Sequence, residues 1–288
     1  MKLRKQSIIV GAIGLFLGGV GGYFYADHYN RVGPAAPGMG NTQMGAGQLP
    51  PGHPEMPQVD PAQIEAATKA ADEKAQDFDA QLSAAQLLYR AGRFEDAAKY
   101  FERAHKLKPD DYDVIVQIGN AHFDQGMTEI QQEASDHASK HFVEAAQWYE
   151  QALKKKPDDV NVRTDYGLTF YFRQPQELTK AIEQYRRSLQ VDPMHRQTLA
   201  NLTIALAEQG NLSEAQATLA KLEEVAPGSE LLARTLFSVT QDLMKLGKWQ
   251  DAESTLAKLE KIIPGAPIIE QLKKDIAARS TGERIQPH

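Results

Sequence analysis

From about Asp60 to the end of the chain, apolar residues recur three and four positions apart, and no stretch shows the two-residue alternation of a half-buried strand. The pattern predicts helices throughout. Its breaks are regular: the phrases YFERAHKLKPDD, YEQALKKKPDD, YRRSLQVDP, LAKLEEVAPG and LAKLEKIIPG each close an amphipathic run with a proline, at Pro109, Pro157, Pro193, Pro227 and Pro264. Proline lacks the backbone N–H and excludes helical backbone at the residue before it, so each phrase reads as a helix end. The prolines are 48, 36, 34 and 37 residues apart, which marks an internal repeat with one large insertion.

Small residues recur inside the repeats at fixed offsets from these prolines. The first holds Ala85, Gly92, Ala97, Phe101, Ala104 and Pro109, and the second Gly119, Gly126, Ala145, Tyr149, Ala152 and Pro157. The third holds Gly167, Ala181, Tyr185, Ser188 and Pro193. The fourth and fifth drift, with Gly210, Ala215, Leu219, Leu222 and Pro227, then Gly247, Ala252, Leu256, Leu259 and Pro264, and with Thr203 and Thr240 at the first small position. This arrangement resembles the tetratricopeptide-repeat (TPR) family, whose unit of about 34 residues has small residues where its two helices cross, glycine at the turn between them and proline after the second.

The resemblance implies an all-α fold, a right-handed superhelical solenoid of helix–turn–helix repeats. The units are 78–111, 112–159, 160–195, 196–229 and 230–266, preceded by a helix in 60–77 opened by Asp60 and Pro61, and followed by a capping helix in 267–279 and a tail, 280–288. The second unit has 14 residues more than the family length; shared equally, they add seven residues, about two turns, to each helix and give a long hairpin around MTEIQQEASDHASKHF.

The family's first helices line a groove that takes polypeptide. Carried over position by position, that groove is Leu82, Gln86, Tyr89 and Arg90, then Val116, Asn120, Phe123 and Asp124, then Thr164, Leu168, Tyr171 and Phe172. Gln197, Ala200, Ile204, Ala207 and Glu208 continue it, then Thr235, Phe237, Gln241, Met244 and Lys245. Aromatic side chains give an apolar peptide segment large contact area at low entropic cost. The Lys, Arg and Asn cluster by which some TPR domains clamp a C-terminal carboxylate is met only loosely, by Asn120 and Arg90.

The first quarter of the chain is different. Residues 8–25 carry no charge and are mostly apolar; as a helix they span about 27 Å, close to the hydrocarbon thickness of a bilayer. Lys2, Arg4 and Lys5 lie before this segment, so the positive-inside bias puts residues 1–6 in the cytoplasm, 7–26 in the inner membrane as a single-pass anchor, and the repeats on the periplasmic or extracytoplasmic side. A cleaved secretory signal has the same layout, but Phe24 is bulky where a cleavage site before Asp27 needs a small residue. Gly14, Gly18 and Gly22 share one face, a spacing that lets membrane helices associate. Residues 27–59 are rich in Pro, Gly and Met and read as a flexible linker; Met39, Met44, His53 and Met56 there are soft ligands with nothing to fix their geometry.

Composition narrows the chemistry. No cysteine is present, which excludes disulfides, thiolate catalysis and a lipidated cysteine, and a formal net charge of -6 with interleaved signs disfavours nucleic acid. No nucleophile elbow, phosphate loop or dinucleotide fingerprint occurs, so neither an enzyme nor a cofactor is expected. His137 and His141 are four apart, with His122 nearby in the long hairpin; no HExxH accompanies them, and a solvated polar face accounts for them without a metal. The functional expectation is a membrane-anchored scaffold binding segments of exported or membrane proteins. Accessory roles in cytochrome c maturation, presenting apocytochrome, and in envelope assembly or secretion share this layout.

Overall fold

A computed structural model describes residues 59–132 and 135–280. The membrane-anchor reading of residues 8–25, the glycine face within it and the methionine-rich linker lie outside the described residues. Among the described residues every regular element is helical, and no helix is long and apolar enough to cross a membrane.

The chain divides into two compact units, one ending at Trp148 and the other beginning at Tyr149. The first contains α1 (Pro61–Glu73), α2 (Phe78–Arg90), α3 (Phe94–Leu107), α4 (Tyr112–Gln131) and most of α5 (Ser135–Lys155). The second contains the end of α5, then α6 (Val160–Phe172), α7 (Leu178–Val191), α8 (Arg196–Gln209), α9 (Leu212–Val225), α10 (Glu230–Lys245), α11 (Trp249–Ile262) and α12 (Pro267–Ser280).

Helix ends follow the local chemistry closely. α3, α5, α7, α9 and α11 all stop two residues before their proline, because the intervening residue is barred from helical backbone; Lys108 leaves the helical region there and Asp192 takes up extended geometry. The starts are capped by side-chain oxygens: Asp60 accepts from the Ala62 amide at 2.9 Å, Asp111 from Val114 at 3.1 Å, Asp159 from Val162 at 3.0 Å and Ser229 from Leu232 at 3.2 Å. At the fourth repeat His195 takes this role through Nδ1, 3.4 Å from the Thr198 amide. α1 is shorter than the 60–77 expectation, ending at Glu73 before a turn that leads into the cap at Asp77.

In the first unit α1 packs on α2, α2 on α3 and α3 on α4. The small residues sit at the crossings: Ala85, Ala97 and Ala104 have no exposed surface, and the core they border holds Leu88, Phe101 and Ile118. In the second unit α6 pairs with α7, α8 with α9 and α10 with α11, α12 covers α11, and α6, α8 and α10 adjoin one another in that order. Ala181, Ser188 and Ala252 are buried at those crossings. Thr203 and Thr240, which replace the small residue of the family pattern, are fully buried; each donates its hydroxyl to the carbonyl four residues back, Leu199 and Leu236, at 2.8 Å. Internal bonding of the hydroxyl removes the cost of burying it.

Gly92, Gly210 and Gly247, at the turns between paired helices, have positive φ and release the first helix of repeats 1, 4 and 5. Gly126 does not act this way. It lies inside α4, where a Cβ would sit 2.9 Å from the Phe142 ring, so it is a close-packing position and the helix continues past it. α4 has 20 residues against 13 in α2, and α5 has 21 against 14 in α3.

Candidate functional site

In the second unit, the first helices of three consecutive repeats bring one group each to a common place. Tyr171 near the end of α6, Glu208 near the end of α8 and Asp242 on α10 are separated by 37 and 34 residues, one repeat apiece. The Tyr171 hydroxyl hydrogen-bonds to Glu208, and burial together with the Glu208 and Asp242 charges pushes the phenol well above its ordinary range. Asp242 is 6% exposed; burial raises its carboxyl above the usual carboxylate value, against the pull of Lys245 Nζ at 2.7 Å, while Glu208 adds to the rise. Phe172 meets the Tyr171 ring edge to face, with centroids 5.1 Å apart. The result is a half-buried aromatic edge beside carboxylate acceptors.

The groove positions taken from the family pattern divide by depth. Gln86 and Arg90 are exposed, and Leu82, Val116, Tyr171 and Phe172 are half-buried. Tyr89, Asn120, Phe123, Asp124, Thr164 and Leu168 are buried. In the first unit Tyr89 donates its hydroxyl to Asp124 across one repeat, and Phe123 meets Phe142 edge to face at 5.4 Å. Thr164 joins α6 to α8: its hydroxyl donates to Val160 O at 2.7 Å and lies 2.6 Å from the Thr198 hydroxyl. Asp242 was not among the sequence positions; it lies one residue past Gln241, and only the contact with Lys245 and its proximity to Glu208 bring it out.

The second helices carry a different surface. Arg186 grips Glu214 through two bonds of 3.0 and 2.6 Å, Lys258 reaches Glu223 at 2.8 Å and Lys273 reaches Glu260 at 2.6 Å. Their charges are mutually satisfied on an exposed face, which adds little stability per pair.

A second group of polar side chains lies in the first unit. His122 of α4 faces His141 and Glu144 of α5, with Glu102 of α3 and Glu129 of α4 behind the imidazoles. The nearby His122 holds Glu102 below the usual carboxylate range, against the effect of burial. His137, read from the sequence as the partner of His141, is exposed and is not part of this group. One helical turn separates it from His141, and His122 reaches the cluster from the facing helix instead.

This is the architecture of a helical repeat protein with paired helices, and comparison with known families agrees. A profile described as a tetratricopeptide repeat matches residues 78–127, and the middle TPR-like domain of cilia and flagella-associated protein 70 matches residues 131–260. The chain belongs to the tetratricopeptide-repeat family. Among solved structures, YrrB, described as a TPR protein with an unusual peptide-binding site, is similar at 20% identity, with 73% of this chain and 99% of that chain covered and a TM-score of 0.51. MamA is similar at 14% identity, with 62% of this chain and 93% of that chain covered and a TM-score of 0.50. MamA from Desulfovibrio magneticus RS-1 shares 17% identity over 56% of this chain and 82% of that chain, with a TM-score of 0.46. No curated protein matches the chain.

Proposed function

We propose that this protein is a membrane-tethered, non-enzymatic scaffold that binds peptide segments of partner proteins on the first-helix faces of its repeats, on the exported side of the membrane. The observation that carries the reading is the alignment of Tyr171, Glu208 and Asp242, one per repeat, into a single patch. An aromatic edge next to carboxylate acceptors fits a segment with an apolar anchor flanked by backbone N–H groups or a cationic side chain. The peptide-binding site named for YrrB supports this use of the fold. The uncharged run 8–25 and the basic residues before it support the anchor and its direction, with residues 27–59 as the tether.

A photo-crosslinking residue at position 171 in living cells, followed by mass spectrometry, tests the site. A discrete partner is expected from Tyr171, and none from the exposed second-helix position Arg187; capture only from Arg187 overturns the assignment. A reporter fused after His288 is expected to be active outside the cytoplasm, and cytoplasmic activity rejects the topology. Haem-dependent capture of a chain bearing a CxxCH motif would place the scaffold in cytochrome c maturation.

A further inference from the structure

We propose that the first unit holds a zinc(II) ion between its two long helices, bound by His122 Nδ1, His141 Nδ1 and a carboxylate oxygen of Glu144. These three atoms form a nearly equilateral triangle: 3.4 Å between the imidazole nitrogens, 3.1 Å from His122 Nδ1 to Glu144 Oε2 and 3.4 Å from His141 Nδ1 to the same oxygen. Bonds of about 2.0–2.2 Å in a tetrahedron space the ligands about 3.3–3.6 Å apart. Square-planar coordination would set one pair on opposite sides of the ion at about 4 Å, and no edge of the triangle is that long.

The other face of each ring makes the argument specific. His122 Nε2 lies 3.6 Å from Glu102 Oε1, and His141 Nε2 lies 3.4 Å from Glu129 Oε1. A carboxylate behind an imidazole holds the proton on the nitrogen it faces and leaves the opposite lone pair for a metal. Here that assignment turns two nitrogen lone pairs and a carboxylate oxygen toward one point. A single shared proton bridges two of these acceptors and leaves the third repelled. Protonating both rings fully instead crowds two cationic N–H donors, 3.4 Å apart, onto the one Glu144 oxygen. One divalent cation satisfies all three groups.

The surroundings are prepared for this. The side chains of His122 and His141 are 11% and 13% exposed, so their rotamers are fixed by packing, and the rings are stacked at 25°. Glu129 is itself oriented by Gln125, whose Nε2 donates to Oε1 at 3.0 Å. Glu144, about a third exposed, sits at the rim, where water completes the tetrahedron. Imidazole with one carboxylate is a ligand set for zinc, and the absence of sulfur selects against copper(I).

Calorimetric titration of zinc chloride into the full chain, purified in detergent without a polyhistidine tag and stripped of metal by chelation, tests the site. Saturable binding of one zinc per chain is expected. His141→Ala and the near-isosteric Glu144→Gln are expected to weaken it about tenfold or more, as is Glu129→Gln behind the ring. His137→Ala, at the exposed position a turn away, is expected to leave it unchanged. Zinc should raise the melting temperature of the parent chain and not that of Glu144→Gln, whose fold is checked by circular dichroism. Binding that survives both His141→Ala and Glu144→Gln, or that falls with His137→Ala as far as with His141→Ala, overturns the proposal.

Discussion

Gly167 on α6 lies directly beneath the ring of Tyr185 on α7: a Cβ at residue 167 would sit 2.8 Å from Tyr185 Cδ1, and the tyrosine has no exposed surface into which to retreat. Glycine is required here for close approach. Gly167→Ala is expected to destabilise the second unit by about 1–3 kcal/mol, the usual cost of overpacking. Urea denaturation followed by circular dichroism measures it, and an unchanged midpoint would show that the ring can shift.

The same tyrosine carries a defect. Among the described residues its hydroxyl is buried without a hydrogen-bond partner, and burial pushes the phenol well above its ordinary range. Tyr185→Phe removes an unsatisfied group at nearly constant shape and is expected to be neutral or to stabilise by up to about 1 kcal/mol. It also predicts a pH effect. Tyr171 and Tyr185 both have raised values, so the folded protein keeps protons that the unfolded chain loses above about pH 10. Stability is complete below that pH and falls as pH rises through the range where only the unfolded chain has ionised. The alkaline limb of the melting curve should be shallower in Tyr185→Phe.

Thr164 and Thr198 form a short relay between α6 and α8. The Thr164 hydroxyl donates to the Val160 carbonyl and lies 2.6 Å from the Thr198 hydroxyl, which in turn lies 2.7 Å from His195 Nδ1. Thr164→Val removes one of the two partners of the buried Thr198 hydroxyl, leaving His195 Nδ1, and is expected to cost about 1 kcal/mol. The double variant with Thr198→Val should cost less than the sum of the two single changes, which equilibrium unfolding of all four proteins would reveal.

Asp242 is held in the fold at a cost. Its carboxyl is raised above the ordinary value by burial, so its favourable contribution exists only at acid pH and is lost as pH rises through the raised value. At neutral pH the charge is a cost, and Asp242→Asn is expected to raise the melting temperature of the second unit while reducing crosslinking from position 171. Tyr171→Ala should abolish capture of that same partner in a pull-down with the full chain, at unchanged stability of the first unit. A stabilised Asp242→Asn with full crosslinking would separate the acid from the site.

What was legible in the sequence was whatever recurs. Five prolines mark the ends of α3, α5, α7, α9 and α11 because each imposes the same steric ban on the residue before it, and the alanines at the crossings repeat because helix approach demands it. Depth was less legible. Thr164 and Tyr171 are two turns apart on one helix, yet the first is sealed between helices and the second reaches the surface, a difference set by the neighbours rather than by the residue type. The His122, His141 and Glu144 cluster was only half visible. The family pattern has no copy of the long hairpin to compare with, so the facing of α4 against α5, which selects His122 and rejects His137, had to come from packing.

The lengths of α4 and α5 carry one more consequence. A first helix of 13 residues starting at Tyr112 would finish at Asp124, and a second helix of 14 residues ending at Lys155 would start at Phe142. Glu129 and His141 both fall in the surplus, whereas His122 and Glu144 belong to the ordinary unit. The extra turns of the hairpin thus supply half of this four-residue cluster, and the shorter repeats have no turns on which to carry that half.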